Sequence, residues 1–279
     1  MADEVGTAVN LTNNDLRRRV LSILPKPVLN KYREIREGVR FPMACEVECS
    51  NLQAKFQVKS FSEKTRVERL GHEGGVINKV LQTLNKDSVF LDIGAHIGMY
   101  SIFAGLSGVK VVAIEADENI SERLEENIRL NRLHENIEIV QVAAGANSGI
   151  QPIYSHGVDA IAPSVGVDVH GLGKTGSVKV ETVDNILDNL SVTGKIDKLP
   201  DTVKIDVEGM EKDVVTGMKK TLESPDGPKH LFIEIHGQYL PQFGSSSEAL
   251  ITTLDQLGYS MIDNSSNVSE RQMFHFQMN

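Results

Sequence analysis

Apolar and polar residues follow two distinct periods along this chain, one typical of strands and one typical of helices. Short apolar runs predict buried strands at 89–93, 109–114, 137–143, 202–207 and 230–236. Segments with apolar residues on one helical face separate these runs and predict helices at 74–84, 99–107, 119–132, 184–190 and 210–222. Strands that alternate with helices favour an α/β fold, with a mostly parallel sheet covered by helices on both faces.

The segments outside this alternating region predict smaller elements. Residues 44–60 alternate like a β-hairpin with Asn51 near its turn, and short strands are predicted at 150–154 and 178–182. Ser245 and Glu248 have the spacing of a capping box for a helix over 246–257. Strands at 259–263 and 272–278 are expected to pair as an antiparallel edge, and the glycine-rich stretch 156–177 supplies few core residues. We predict an N-terminal extension of helices and hairpin over residues 1–70 and a main domain over 71–279.

A glycine-containing turn between the first predicted core strand and its helix is the main chemical signal. Gly94 and Gly98 permit a tight turn that brings a helix N-terminus close to a ligand. Glu115 ends the next strand, 21 positions after Gly94. A carboxylate at about this distance holds ribose hydroxyls in Rossmann-like sites, so the spacing predicts a bound nucleoside.

The composition of the turn discriminates between nucleoside ligands. A dinucleotide fingerprint needs a glycine in the middle of the turn, where His96 stands here, and a phosphate-binding Walker loop needs a Gly-Lys-Ser/Thr sequence that is absent. Asp92 disfavours phosphate and suits a cationic ligand such as S-adenosylmethionine. A nicotinamide-dependent oxidoreductase and a non-catalytic nucleoside-binding module stay open as alternatives.

Ionisable residues cluster where two predicted core strands end. Asp206 and Glu208 follow one strand, and Glu234 and His236 end another. Residues two apart in a strand point to the same side, and ligands bind beyond the carboxyl ends of such strands. The four side chains therefore form a candidate acid–base or metal set; in the alternative interpretation, Lys204 pairs with Asp206 and the other groups merely face water.

Four sequence blocks stand out together: Phe90-Leu91-Asp92-Ile93-Gly94-Ala95-His96-Ile97-Gly98, Val180-Glu181-Thr182-Val183-Asp184, Lys204-Ile205-Asp206-Val207-Glu208-Gly209-Met210-Glu211 and Ile233-Glu234-Ile235-His236. In these blocks and their order, the chain resembles FkbM-type S-adenosylmethionine-dependent methyltransferases over residues ~70–265. The resemblance implies a class I methyltransferase fold with a mostly parallel seven-stranded sheet. It also implies O-methylation of a hydroxyl on a sugar, a lipid-linked glycan or a polyketide-like molecule.

The resemblance also implies which residues bind S-adenosylmethionine. His96 stands where asparagine is usual in the family, and Thr182-Val183-Asp184 replaces the commoner Thr-Leu-Asp. The implied cofactor-binding set is Glu73, Asp92, Gly94, Ala95, His96, Gly98, Glu115, Ala116, Val142 and Ala143, with Val142 and Ala143 beside the adenine.

A hydroxyl acceptor must lose its proton during methyl transfer, and His236 is the first candidate for the base because its ordinary pKa lies nearest neutrality. Asp206 or Glu208 could replace or orient it. A divalent cation held by some of Asp206, Glu208, Glu234 and His236 could instead lower the pKa of the hydroxyl. An Asn/Asp-Pro-Pro-aromatic motif, which amino-directed nucleic-acid methyltransferases use, is absent, and this favours oxygen as the acceptor atom.

Composition and charge restrict the partners and the compartment. The net charge of −9 disfavours a nucleic-acid substrate, because phosphate contacts require basic surface. No apolar run approaches the ~18 residues of a membrane span, and Cys45 and Cys49 are expected as unpaired thiols in the cytoplasm. Residues 11–40 contain eight basic and three acidic residues, with Pro25 and Pro27 interrupting two amphipathic helices. Such helices can bind an anionic membrane surface, but we favour a cap that packs on the main domain.

Overall fold

Seven strands form the central sheet of the computed structural model, which describes Val28 and residues 40–155, 163–264 and 272–279. The strands are β3 Val89–Ile93, β4 Lys110–Ile114, β5 Ile137–Val140, β10 Thr202–Ile205, β11 His230–Ile235, β12 Tyr259–Asn264 and β13 Gln272–Met278. Their order across the sheet is β12-β13-β11-β10-β3-β4-β5, and β13 is antiparallel to both of its neighbours. The remaining neighbours pair in parallel, which confirms the predicted architecture and the antiparallel edge.

Helices cover both faces of this sheet, because successive strand residues point to opposite sides. In β3, Leu91 packs into the core on one face and Phe90 into the core on the other. The first face carries α5 Val183–Val192, α6 Glu211–Gly217, α7 Lys219–Leu222 and α8 Ser247–Gln256. The second face carries α1 Phe61–Glu68, α2 Leu70–Gln82, α3 Met99–Leu106 and α4 Glu118–Asn131.

The predicted hairpin is present and packs on the second face. Its strands, β1 Met43–Cys49 and β2 Leu52–Val58, are antiparallel, and Ser50 and Asn51 at the turn both have positive φ. Phe56 is fully buried in the same hydrophobic core as Phe103 of α3, so the hairpin shares a core with the helices on this face. The two cysteines are buried and unpaired with each other, as expected. The predicted helices of residues 11–40 lie outside the described residues, Val28 and Arg40 excepted.

A second sheet extends from the region after β5. It contains the strands predicted at 150–154 and 178–182, together with two very short strands that were not predicted. It contains four strands in the order β6-β9-β7-β8: β6 Ala143–Ala144, β7 Gly149–Tyr154, β8 Ser164–Val165 and β9 Gly176–Glu181. The strand predicted over 137–143 ends at Val140 in the structure. Ala143 belongs to the second sheet instead, where it pairs with Val180. The glycine-rich stretch also contributes buried residues, namely Ser164 and Val165.

The predicted and the observed helices differ at three places. The helix predicted over 210–222 divides at Met218, where Gly217 lies so close to Gly145 that a Cβ would be 2.0 Å from the Gly145 carbonyl oxygen. Ser246 rather than Ser245 caps α8, since its Oγ accepts from the Ala249 N–H at 3.2 Å. Helix α1 was missed.

None of the helices in the described ranges is both long and apolar enough to cross a membrane.

Candidate active site

The predicted turn after β3 forms one wall of a cavity at the carboxyl ends of the parallel strands. The N–H groups of Gly94 and Ala95 both donate to the Ile114 carbonyl, at 2.9 and 3.0 Å, and fix the turn against the end of β4. Gly94 has φ +75°, and a Cβ there would lie 1.9 Å from the carbonyl oxygen of Asp206. Glycine is therefore required for this close approach between the turn and the segment after β10.

Asp92 lies behind the cavity wall and has no exposed surface. Its Oδ2 accepts from the Oγ of Ser101 at 2.6 Å and from the Ser101 N–H at 3.1 Å, while Lys204 Nζ lies 3.2 Å from its Oδ1. Asp92 is not among the residues that line the cavity, and its implied contact with the cofactor stays a prediction. Its carboxylate fixes the first turn of α3 and thereby the position of the glycine-containing turn that precedes this helix.

Gly98 also lies behind the wall, although the resemblance implied a cofactor contact. It begins α3 with φ +91°, and a Cβ there would lie 2.5 Å from Leu124 Cδ1. The glycine therefore permits close packing between α3 and α4.

Glu115 lies on the cavity wall where the nucleoside spacing predicts it. Its carboxylate accepts from the N–H of His96 at 2.8 Å and of Asp117 at 3.0 Å, so it joins the turn after β3 to the segment after β4. Burial raises the pKa of Glu115 to about 7, although both N–H donors oppose the rise. A negative charge on this carboxylate is therefore poorly compensated within the protein.

The cavity contains most of the implied cofactor set. Ala95, His96, Glu115, Ala116, Val142 and Ala143 line it, as does Gly94, whereas the Glu73 side chain lies outside what the structure describes. Sequence reasoning missed several other wall residues, which come from α1, α3, β8 and the segment after β10. These are Arg66, Met99, Tyr100, Val165, Val207 and Met210.

His96 occupies an unusual backbone conformation beside an arginine from α1. It has φ +52°, and Arg66 Nη1 lies 3.2 Å from His96 Nδ1. Burial and the positive charge of Arg66 lower the pKa of His96 to about 3, so its imidazole is neutral at physiological pH. A neutral ring and a guanidinium therefore share the turn end of the cavity.

Lys204 connects the turn to the ends of the strands. Its Nζ donates to the Gly94 carbonyl at 2.9 Å and lies 3.3 Å from Asp206 Oδ2 and 5.1 Å from the centre of the Tyr100 ring. The alternative interpretation was therefore right about this ion pair. The pKa of Lys204 lies above its usual value because the surrounding carboxylates, Asp92 first, outweigh the effect of burial.

Glu208, Glu234 and His236 lie near Asp206 at the carboxyl ends of β10 and β11. This proximity follows from the parallel pairing of the two strands. One ligand-type atom from each of Asp206, Glu234 and His236 lies within 4.8 Å of the others. Glu208 Oε2 lies 3.6 Å from His236 Nε2. Asp206 and Glu208 line the cavity, whereas Glu234 and His236 stand behind them.

Glu211 was missed as a partner of this group. Its Oε1 lies 2.7 Å from His236 Nδ1 and also accepts from the His236 backbone N–H at 3.1 Å. Burial disfavours a charge on His236, but the Glu211 hydrogen bond and the nearby carboxylates Asp206 and Glu208 outweigh it and raise the pKa to about 9. A ring that is already protonated cannot accept a proton, so this environment argues against His236 as the general base near neutrality.

The glycine-rich stretch adds a further histidine to this end of the cavity. His170 Nε2 lies 3.5 Å from Glu208 Oε2, and its Nδ1 lies 3.3 Å from the hydroxyl of Tyr239. No spacing along the chain relates His170 to Glu208, so this contact was not predicted from the sequence.

Comparison with known proteins identifies the family. The FkbM methyltransferase domain model matches residues 92–261, which is more than half of the chain. The chain belongs to this family. The resemblance of its sequence blocks to FkbM-type methyltransferases is thereby confirmed, and methyl transfer is the activity of the family.

Three individual proteins that the chain matches share between 14% and 29% sequence identity with it. The chain is 29% identical over 221 residues to the hexuronic acid methyltransferase AglP of Haloferax volcanii, covering 77% of this chain and 84% of AglP. An FkbM methyltransferase structure from Methylobacillus flagellatus matches with 17% identity and a TM-score of 0.47, over 70% of this chain and 44% of the other. The TYW2 structure from M. jannaschii in complex with AdoMet matches with 14% identity and a TM-score of 0.41, over 85% of this chain and 87% of the other.

Proposed function

We propose that this FkbM-family protein transfers a methyl group from S-adenosylmethionine to a hydroxyl of a sugar or glycan. The observation that carries this proposal is one cavity with a nucleoside-type wall at Glu115 and a carboxylate wall at Asp206 and Glu208. Family membership supports methyl transfer, and the printed name of the AglP relative supports a sugar acceptor.

The residues of the cavity fit the donor. Glu115 lines the cavity and would accept hydrogen bonds from the ribose hydroxyls, and Val142 and Ala143 would contact the adenine. Arg66 supplies a guanidinium for the amino-acid carboxylate at the other end. The absence of phosphate-binding features in the turn, together with His96 in its middle, disfavours a nicotinamide dinucleotide. When bound, S-adenosylmethionine supplies an electrophilic methyl group on a sulfonium.

The chain itself orients the acceptor and receives its proton. Alignment of the acceptor oxygen with the methyl group provides much of the rate in such a displacement. Asp206 and Glu208 line the same cavity after β10, where either carboxylate can hold a sugar hydroxyl and take its proton. We assign this contact to them rather than to His236, whose ring is buried behind the wall and tied to Glu211.

Transfer of a labelled methyl group from S-adenosylmethionine to a panel of oligosaccharides tests the proposal. The panel pairs glycans that contain hexuronic acid with glycans in which a neutral hexose replaces it. Base-stable label on a glycan is expected, because an ether resists the alkali that cleaves a methyl ester. Base-labile label would place the methyl group on a carboxylate and overturn the hydroxyl assignment. Binding of NAD in place of S-adenosylhomocysteine would overturn the donor assignment.

A further inference from the structure

A carboxylate–histidine cluster at the ends of β10 and β11 has the composition of a cation site. Asp206, Glu234 and His236 each place one oxygen or nitrogen within 4.8 Å of the other two. Ligands that surround a divalent cation at about 2.1–2.2 Å lie roughly 3–4.4 Å apart, so small side-chain movements bring these atoms to bonding distance.

The orientation of His236 is a second, independent observation that points to a ligand. The side chain is 1% exposed, and its Nε2 has no hydrogen-bond partner among the described residues. This nitrogen lies 3.6 Å from Glu234 Oε1 and 3.6 Å from Glu208 Oε2, so it is aimed into the cluster. Both carboxylates are beyond hydrogen-bond distance, so the buried Nε2 makes no short contact, and a cation that displaces its proton would supply one.

Glu211 completes the arrangement from the far side of the ring. It holds His236 Nδ1 at 2.7 Å, which leaves Nε2 as the nitrogen that faces Asp206 and Glu234. Histidines that bind metals commonly donate their other ring N–H to a carboxylate, which fixes the ring and makes the ligating nitrogen more basic. The negative charge of the surrounding carboxylates also favours a cation over a neutral ligand.

We propose that Asp206, Glu234 and His236 bind a divalent first-row cation such as Mn²⁺, with Glu211 as the positioning residue. Two carboxylates and one imidazole suit such an ion better than Mg²⁺, which prefers oxygen ligands throughout. Since Asp206 also lines the cavity, the cation would stand at the acceptor side of the proposed active site.

The chemical role of the ion rests on the proposed function. A hydroxyl oxygen bound to a cation loses its proton more readily. The O–H bond breaks with its proton passing to Glu208, and a new O–C bond forms as the S–C bond of the donor breaks. The products are a methylated acceptor, a neutral thioether and one proton.

Direct measurement of Mn²⁺ binding tests the site without turnover. The protein is freed of metal with EDTA, titrated with Mn²⁺ and monitored by electron paramagnetic resonance of the free ion. We expect one tight site whose affinity falls at least ~100-fold in His236→Gln and Glu234→Gln, and ~10–100-fold in Glu211→Gln. Pulsed measurements should show a histidine nitrogen coupled to Mn²⁺ that is lost in His236→Gln.

Matched controls separate local from general effects. His134→Gln removes an exposed histidine beside Glu125, and Asp188→Asn removes an exposed carboxylate that pairs with Lys220; both should keep the wild-type Mn²⁺ affinity. S-adenosylhomocysteine binding in EDTA reports whether each cluster variant is folded. Equal Mn²⁺ affinity in wild type, His236→Gln and Glu234→Gln, or no bound Mn²⁺ at millimolar concentration, would overturn the metal site. Mn²⁺ binding without methyl transfer to any glycan would leave the site intact and count against the proposed function.

Discussion

Glu115 lies on the cavity wall directly after β4, where the sequence predicts a carboxylate. This position could be predicted from the sequence, because the carboxylate follows Gly94 by 21 residues. An interval of about this length is set by the local geometry of one strand, turn, helix and strand. What the interval could not predict is the pair of backbone N–H groups, from His96 and Asp117, that already bind the carboxylate. Glu115 therefore has two functions, one in shaping the wall and one in the proposed contact to ribose.

Glu115→Ala should weaken the binding of both S-adenosylhomocysteine and methylthioadenosine by about 2–4 kcal/mol, because both ligands carry the ribose. Isothermal titration calorimetry measures the two affinities. Glu118→Ala, which removes an exposed carboxylate at the start of α4, is the matched control and should leave them unchanged. Unchanged affinity in Glu115→Ala would remove the residue from the nucleoside site.

Arg66 illustrates a site residue that sequence reasoning could not find. It lies on α1, 28 residues before Gly94, and reaches the turn only because α1 packs beside the same sheet face. Glu211 was missed for a related reason, since its contact with His236 depends on how α6 meets the end of β11. Tertiary packing, rather than spacing along the chain, brings both residues to the site.

Arg66→Gln should weaken S-adenosylhomocysteine binding about 10–100-fold, because a charged hydrogen bond to the amino-acid carboxylate is lost. Methylthioadenosine lacks that carboxylate, so its affinity should stay the same. Equal losses for both ligands would show that the change deforms the turn through His96. Unchanged affinities with a raised KM for an acidic glycan would instead assign Arg66 to the acceptor.

Among the elements, α1 depends on a buried ion pair that also holds the hairpin. Arg123 of α4 places Nη2 3.0 Å from Glu63 Oε2 of α1 and donates from the same nitrogen to the Gln57 carbonyl of β2 at 2.6 Å. The two charged side chains are only 7% and 4% exposed. One guanidinium therefore joins α4, α1 and β2, and α1 carries Arg66 of the cavity wall.

Arg123→Ala should lower the free energy of unfolding by about 3–5 kcal/mol, because Glu63 would remain buried without its partner. Urea denaturation followed by circular dichroism measures the change. Arg129→Ala, which removes an exposed arginine 3.6 Å from Glu125 on the same helix, should cost less than about 1 kcal/mol. A similar small loss for Arg123→Ala would mean that solvent reaches Glu63 in the native state.

The central elements could be predicted because their burial has a simple period. Strand β3 was predicted with its observed bounds, and the ends of α3 and α4 differ by one residue. Helix α1 was overlooked although Ser60 and Glu63 have capping-box spacing, and Ser60 Oγ does accept from the Glu63 N–H. The second sheet is different, since two-residue strands such as β6 and β8 carry no period that a pattern could reveal.

At the scale of the whole molecule, the cavity lies where the turn after β3, the end of β4 and the segment after β10 meet. The sequence predicts this meeting point, since the strand order of a parallel sheet places these ends side by side. It does not predict the energetic cost of burying ionisable groups there. Ionised Glu115 lowers the free energy of unfolding of the ligand-free protein, because burial disfavours its charged form.

This cost should appear as a pH dependence of stability. The ordinary pKa of Glu115 is 4.5, and burial raises it to about 7 in the folded chain. Between these values the folded protein keeps a proton that the unfolded chain releases, so the free energy of unfolding falls as pH rises through this window. The full shift corresponds to a loss of at most about 3 kcal/mol above pH 7.

Glu115→Gln cannot titrate, and its unfolding free energy should therefore decline less between pH 5 and pH 8 than that of the wild type. Urea denaturation of both proteins across this range measures the difference in slope, in which the titration of all other groups cancels. The wild type is expected to lose about 1–3 kcal/mol more than the variant. Saturating S-adenosylhomocysteine should reduce this difference, because ribose hydroxyls that donate to the carboxylate stabilise its charged form. If the two proteins instead show the same dependence of unfolding free energy on pH without ligand, Glu115 is already ionised at pH 5 in the folded protein. The surrounding wall would then stabilise its negative charge, contrary to the prediction.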